Sequence, residues 1–316
     1  MLDLRSAHYL QVGTPFINYR YYCGLPNRHL DGGSLRQRQW SMKTSPPAST
    51  AVETPMGGSA SVLPRVDGAQ VVLVLAAFNE EQNLGPLLTK IHGQSREMGL
   101  PFHVVIVDDG STDRTWEAIE AFRGILPLTA IRHPVNQGLG QSVADGVAAA
   151  VKIAGDDDIV VTMDADETHP PGLIPRMFAA IREGRDVVIA SRYRPDSYLC
   201  GISFRRCVMS YLAAVVSKAM FPIKGVRDYT SGFRAFSGTA LRLAYREYGP
   251  TFIDQTGFQC TIDILLKMRR LKLVFGEVPL VLRYDLKKGP SKLPAVRTIK
   301  ATLWLLLRRR IGGGGM

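Results

Sequence analysis

Short, unbroken runs of aliphatic residues that end in acids constrain this chain more than any other feature. Val71-Val72-Leu73-Val74-Leu75-Ala76, His103-Val104-Val105-Ile106-Val107 and Asp158-Ile159-Val160-Val161-Thr162-Met163 have too few polar positions for strands with one wet face. They predict strands buried on both sides of a parallel sheet. Helical patterns fall between them, over Gln82–His92, Thr115–Phe122 and Gly140–Ala154, with a further strand expected over Leu128–His133. This alternation predicts an α/β fold around a mixed, mostly parallel sheet. The second run leads into Asp108-Asp109 and the third into Asp164-Ala165-Asp166. Ligands of open parallel sheets bind beyond the carboxyl ends of the strands, so these acids predict a nucleotide-type site.

Composition narrows the class. At 316 residues, 46% apolar and 21% charged, the chain is neither wholly disordered nor fibrous. A net charge of +11 points to an anionic partner: nucleic acid, an acidic membrane surface or a phosphorylated substrate. Most of the excess lies between Arg283 and Met316, where nine basic residues face Asp285 alone. Cys23, Cys200, Cys207 and Cys260 show no C-x-x-C spacing, which argues against zinc and against a disulfide framework and fits a reducing compartment. No apolar run approaches the roughly 20 residues that span a bilayer, and Met1–Leu10 lacks a basic-then-apolar signal pattern.

Residues 1–68 show neither strand nor helix periodicity and include Thr44-Ser45-Pro46-Pro47-Ala48-Ser49-Thr50, the composition of a disordered leader. A translation start at Met42 or Met56 is the other reading of this segment. Residues 69–293 are expected to form one α/β domain and residues 294–316 a basic amphipathic tail. In that tail Ala301-Thr302-Leu303-Trp304-Leu305-Leu306-Leu307 lies among basic residues. A helix resting on an anionic membrane with Trp304 at the interface fits this pattern, as does a helix docked on the domain.

Four carboxylates on one sheet edge repel one another, and a divalent cation or a hydrogen-bonding ligand relieves that repulsion. For Asp108-Asp109-Gly110-Ser111 an ordinary turn with Ser111 and Asp113 as helix caps is an equal reading. For Asp164-x-Asp166 the cation is favoured, because paired acids after an apolar strand suit a hard ion shared with substrate phosphates. His169, in a His-Pro-Pro turn, is expected to shape its loop rather than to bind metal.

In order along the chain stand Ala77-Phe78-Asn79-Glu80-Glu81, Val107-Asp108-Asp109-Gly110-Ser111-Thr112-Asp113, Asn136-Gln137-Gly138-Leu139-Gly140, Met163-Asp164-Ala165-Asp166 and His169-Pro170-Pro171. Ala190-Ser191-Arg192-Tyr193, Arg206-x-x-x-Ser210 and Asp228-Tyr229-Thr230-Ser231-Gly232-Phe233-Arg234-Ala235-Phe236 follow. Together, from Val71 to Leu293, they resemble glycosyltransferase family 2, in its dolichyl-phosphate mannosyltransferase and polyprenyl-phosphate glycosyltransferase branch. The resemblance implies a GT-A, Rossmann-like fold and inverting transfer of a hexose from a GDP-mannose or UDP-glucose type donor to polyprenyl or dolichyl phosphate. It also implies Mg²⁺ or Mn²⁺ and peripheral attachment to the cytoplasmic face of a membrane. Phe78, Asn79, Glu80, Asp108, Asp109, Asp164 and Ala165 would border the nucleotide-sugar, and Asp164 and Asp166 would hold the metal. Arg192, Arg206, Ser210, Arg234 and Lys292 would bind the acceptor phosphate, with Asp166 and Arg192 central to catalysis.

The sequence departs from the branch at Thr168, where Gln is usual, and at Asp263, where Glu is usual. Arg283–Gly289 is spaced differently, which weakens a claim to mannose. The runner-up is a family 2 enzyme with a hydroxyl acceptor, for which Asp263 is the candidate base. A nucleotidylyltransferase lacks its Gly-rich signature here. A nucleic-acid-binding module lacks the aromatic-interleaved basic motifs it would need, so no nucleic-acid partner is expected.

Overall fold

The computed structural model describes residues 20–22, 68–289 and 295–312. The chain opens with β1 (Arg20–Tyr22), β2 (Val71–Ala77), α1 (Glu81–Met98), β3 (Phe102–Asp108), α2 (Thr115–Glu120), β4 (Leu128–Arg132), α3 (Leu139–Ile153) and β5 (Ile159–Asp164). It continues through α4 (Ile174–Arg182), β6 (Val187–Ser191), β7 (Tyr198–Cys200), α5 (Phe204–Met220), β8 (Arg234–Ser237) and α6 (Gly238–Tyr248). Then come α7 (Cys260–Met268), β9 (Phe275–Pro279), β10 (Val281–Arg283) and α8 (Ala295–Gly312).

Seven strands form the main sheet in the order β4-β3-β2-β5-β8-β6-β9. All neighbours are parallel except β8, which runs antiparallel between β5 and β6. The mixed, mostly parallel GT-A-like sheet expected from the sequence is therefore present. The chain winds outward from β2 to β3 and β4, then returns to add β5 on the other side, so the strand order reverses between β2 and β5. That reversal opens a crevice at the carboxyl ends of the two strands. A smaller parallel sheet joins β1, β7 and β10.

Alternation along β2 divides the core in two. Val71, Leu73 and Leu75 pack with Leu84, Leu87, Leu88 and Ile91 of α1 and with Met177 and Phe178 of α4. Val72 and Val74 face the opposite layer, with Val147 and Ala150 of α3 and Leu241 and Ala244 of α6. All five β2 side chains are 0–2% exposed, and burying each is worth about 1.5–3 kcal/mol. A polar residue at any of them would sit in an apolar layer whichever way it pointed.

Helix α1 runs past the expected His92 to Met98, because Gly93 lowers helix propensity without breaking the pattern. It stops where Gly99 turns left-handed (φ 61°), with Gly99 N–H donating to Arg96 O and Leu100 N–H to Ser95 O. The segment 1–68 lies outside the described residues except for Gly68 and Arg20–Tyr22, and the latter pairs with β7. In the tail, α8 docks through Thr302, Leu305 and Leu306, which are buried, while Leu303, Trp304 and Leu307 are exposed. The helix docked on the domain is therefore what the structure shows, and the same helix keeps an outer apolar face. Among the described residues no helix is long and apolar enough to cross a membrane.

Candidate active site

A cavity of about 490 Å³ opens at the β2–β5 reversal. Ala76 and Ala77 from the end of β2 and Asp164, Ala165 and Asp166 from the end of β5 form its floor. Asp109 and Asn136–Leu139 close one end, and Arg206 and Lys287 stand at the acidic side. Thr256–Gln259, before α7, and Thr298 and Ala301, from α8, complete the wall. The GLG turn makes this possible. Gly138 has φ +95°, and a Cβ on Gly140 would lie 1.6 Å from Gln255 O, so only glycine lets the 255–256 backbone approach. Gly140 N–H donates to Thr256 O at 2.7 Å and locks the contact.

The two acids after β3 have different surroundings. Asp109 lines the cavity, and its carboxylate accepts backbone N–H groups of Gln137 (2.8 Å) and Gly138 (2.9 Å). Its Oδ1 also lies 2.8 Å from His133 Nδ1, while His133 Nε2 lies 3.0 Å from Asp145 Oδ2. Asp108 is fully buried behind the wall: it accepts Ser111 N–H at 3.0 Å and lies 3.4 Å from Arg132 Nε. The turn reading therefore holds for Asp108, which does not border the cavity. Asn79 is also off the wall. It is left-handed (φ 52°), and its amide oxygen accepts Thr112 N–H at 2.8 Å, so it ties the β2 turn to the β3 turn. Phe78 and Glu80 do line the cavity.

Asp164 and Asp166 differ in charge environment. Asp164 is exposed to the open cavity, yet the surrounding walls remove much of its hydration. That loss pushes its carboxyl above the ordinary range, with repulsion from Asp166 adding to it and His169, Lys287 and Arg206 opposing. For Asp166 burial also favours the neutral form, but the Lys287 ammonium and the Thr168 hydroxyl outweigh it and hold the carboxyl below the ordinary range. Lys287 Nζ is bonded to Asp166 Oδ2, and Thr168 donates its Oγ1–H to Asp166 Oδ1 at 2.6 Å. Thr168 thus braces Asp166. His169 is buried, accepts Asp164 N–H at 3.2 Å and stacks on Phe233 at 5.0 Å, which makes it a loop-shaping residue.

Arg206 and Ser210 lie one turn apart on α5, and Arg206 lines the cavity with its guanidinium 4.7 Å from the Tyr284 ring centre. Ser210 accepts from Arg192 Nη1 at 3.3 Å, which brings three sequence-predicted residues into a row. Arg192 is not on the wall; it forks onto buried Asp228, through Nε to Oδ2 at 2.8 Å and Nη2 to Oδ1 at 2.7 Å. Burial disfavours both charges, but each outweighs that cost for the other: Asp228 is held below the usual carboxylate range and Arg192 above its ordinary value. Arg234 must be corrected. It is 1% exposed, absent from the cavity wall, and donates to the carbonyls of Thr261 and Tyr229. Burial pushes it down to about 10, the mark of a core residue rather than an acceptor ligand. Lys292 lies outside the described residues.

Asp263 is no candidate base either. It is buried, off the cavity wall, and takes Arg309 Nε on Oδ1 (2.8 Å) and Arg309 Nη2 and Lys267 Nζ on Oδ2 (both 2.9 Å). Sequence reasoning missed His133, Lys287, Asn83, Thr298 and Ala301. His133 follows β4 and could have been found by the strand-end rule that found Asp108 and Asp164. Lys287 carried no such signal, because a loop places it.

Residues 72–237 match the sequence profile of glycosyl transferase family 2. A dolichol-phosphate mannosyltransferase of Pyrococcus furiosus is 33% identical over 71% of this chain and 59% of its own length, so the chain spans less than two thirds of that relative. A polyprenol monophosphomannose synthase of Mycolicibacterium smegmatis is 25% identical over 71% of this chain and 81% of its own. The glucosyl-3-phosphoglycerate synthase of Mycobacterium tuberculosis, solved with Mn²⁺, UDP-glucose and phosphoglyceric acid, shares the fold. It superposes with a TM-score of 0.55 at 21% identity, over 78% of this chain and 80% of that one.

Proposed function

The chain belongs to glycosyl transferase family 2, and on that premise we propose that it transfers a hexose, with inversion, from a nucleotide-sugar to polyprenyl phosphate at a membrane surface. One observation carries the reading: a single cavity sets the Asp164–Asp166 pair against Arg206 and Lys287, with Asp109 at the far end. Acids for a cation, cations for phosphates and a hydrogen-bonding end for a base are what a diphosphate donor and a phosphate acceptor require. Relatives named for transfer to dolichol, polyprenol and undecaprenyl phosphates support the acceptor class.

Asp164 and Asp166 would hold Mg²⁺ or Mn²⁺. The residues fit: carboxylate oxygens are hard donors, Asp166 already carries a cation on Oδ2, and a pair leaves room for diphosphate and water. When bound, such an ion neutralises the charge that develops on the departing diphosphate. Thr168 fixes the Asp166 carboxylate, and Phe78 and Asp109 border the nucleotide. Arg206 would bind the acceptor phosphate, with Ser210 one turn further on and Arg192 behind it. The phosphate oxygen is already anionic, so attack needs no general base, and attack opposite the leaving diphosphate inverts the sugar. Thr298, Ala301 and the 256–259 segment form the wall of the same cavity. A hydroxyl acceptor would need a base, and Asp263, the one the sequence offered, is committed to Arg309 and Lys267.

Attachment is peripheral in this reading. Leu303, Trp304 and Leu307 of α8 and Tyr211, Leu212 and Val215 of α5 are exposed, and Lys300, Arg308 and Arg310 stand beside the α8 group, a surface suited to an anionic bilayer. The cytoplasmic face is consistent with the free thiols of Cys200, Cys207 and Cys260. The test is incubation of purified protein with labelled GDP- and UDP-sugars, Mg²⁺ or Mn²⁺, and polyprenyl phosphate. Formation of a lipid-linked sugar is expected; no product with any donor would overturn the reading.

A further inference from the structure

We propose that Lys287 is a tethered cation: in donor-free protein it holds the metal position on Asp166, and it passes to the donor's diphosphate when a divalent ion takes that carboxylate. Metal and donor would then load together. The inference rests on the metal-dependent reading above.

Lys287 Nζ is bonded to Asp166 Oδ2, and both side chains are nearly buried, 9% and 11% exposed. Its charge is further supported by Glu80, which also lines the cavity, and by the face of the Tyr284 ring, whose centre is 5.8 Å away. The placement is built into the backbone. Asn83, 1% exposed, donates its Nδ2–H to Lys288 O and accepts Lys288 N–H on Oδ1, both at 3.1 Å. Glu80 Oε2 orients that amide from 2.6 Å. Arg283 N–H donates to Thr168 O at 3.0 Å, which anchors the other end of the loop beside the residue that braces Asp166. A strap pinned at both ends thus delivers one ammonium to one carboxylate oxygen.

That oxygen cannot coordinate a divalent ion and keep the ammonium, because the two cations would repel at contact distance with little water between them. Released from Asp166 on a short, pinned loop, the ammonium stays in the cavity. The new negative charge there is the diphosphate, for which a lysine is a compact partner. Lys287 therefore opposes metal binding when nucleotide is absent and favours nucleotide once metal is present.

The test is Mn²⁺ binding, followed by the electron paramagnetic resonance signal of free Mn²⁺, for wild type, Lys287→Met, Lys287→Gln and Lys90→Met. Lys90 pairs with Glu167, and its side chain is 49% exposed, so its loss removes the same charge nearby without touching Asp166. With Mn²⁺ alone, both Lys287 variants should bind about tenfold more tightly than wild type, and Lys90→Met within about twofold of it, as expected for an exposed pair. With saturating Mn²⁺, the affinity of the Lys287 variants for UDP or GDP, whichever wild type binds, should fall about tenfold. Unchanged or weaker Mn²⁺ binding by folded Lys287→Met and Lys287→Gln, judged by circular dichroism, overturns the inference. Equal tightening in Lys90→Met also overturns it, by showing a general charge effect. If wild type binds no Mn²⁺ even with nucleotide, the metal-dependent reading itself fails, a result distinct from either.

Discussion

Arg309→Met should loosen the attachment of α8 by an amount the ion cluster around Asp263 sets. Arg309 grips Asp263 with two bonds, at 2.8 and 2.9 Å, and its side chain is 35% exposed while that of Asp263 is 2% exposed. Exposed pairs contribute about 0–1 kcal/mol, whereas stranding a buried charge costs about 3–5 kcal/mol. Arg309 falls between, because Lys267 Nζ remains 2.9 Å from Asp263 after the substitution. The expected loss is about 1.5 kcal/mol, or about 3–6 °C in Tm for a domain of this size. Lys267→Met should cost more, about 2–3 kcal/mol, since Lys267 also bonds the carbonyls of Thr251 (2.5 Å) and Phe252 (3.2 Å). Both changes together leave Asp263 with neither cation, so the double variant should lose clearly more than the sum of the single losses. Urea unfolding of the four proteins measures this cycle. Additive losses, or an Arg309→Met protein as stable as wild type, would refute the idea that the cluster shares one buried charge.

Asp166→Asn should abolish turnover while the domain still unfolds in one cooperative transition, as read by labelled-sugar transfer and calorimetry; retained activity would remove the metal assignment. Gly140→Ala drives a methyl into Gln255 O and should cost about 2–3 kcal/mol and weaken nucleotide binding, measured by denaturant unfolding and titration calorimetry. Asp228 is depressed in the folded state below its unfolded value of about 3.9, so its contribution is complete above that value and lost as pH falls through the folded one. Unfolding followed from pH 7 down to pH 2 should therefore show a loss in wild type that Asp228→Asn lacks, the variant being weaker by about 3 kcal/mol at neutral pH. Replacing Leu303, Trp304 and Leu307 by Ser should reduce sedimentation with anionic liposomes at least tenfold while sparing transfer to a detergent-dispersed acceptor. Unchanged sedimentation would sink the membrane role of α8.

The strand-rich half of the domain was legible because its signals are local. Val71–Ala77 and Ile159–Asp164 are apolar on both faces, and the acids at their ends sit where the sheet edge puts them. Asp108 and Asp109 show the limit of that rule. Adjacent side chains on extended backbone point to opposite sides, so one acid reached the cavity while its neighbour went into the turn beneath it. Arg234 misled for a related reason: its motif placed it near the site in sequence, but a position inside β8 aims the side chain into the core. Lys287 was illegible because its position depends on Asn83, 205 residues away along the chain from the backbone of Lys288. No spacing rule reports a contact of that span.

The reversed strand β8 divides the labour of the domain. Because it pairs antiparallel with β5, from Thr162↔Arg234 to Ile159↔Ser237, the chain enters it from the ligand edge. The Asp228–Gly232 turn therefore stands beside the ends of β5 and β6, where Gly232 O accepts the Thr162 hydroxyl at 2.8 Å and Asp228 holds Arg192. An all-parallel sheet would bring only strand exits to that edge; here a strand entrance is interleaved among them. The turn before β8 thus reaches that edge without passing through β2, β3 or Asp109, so what it holds there, the buried Asp228–Arg192 pair foremost, is set from the β5–β6 side alone.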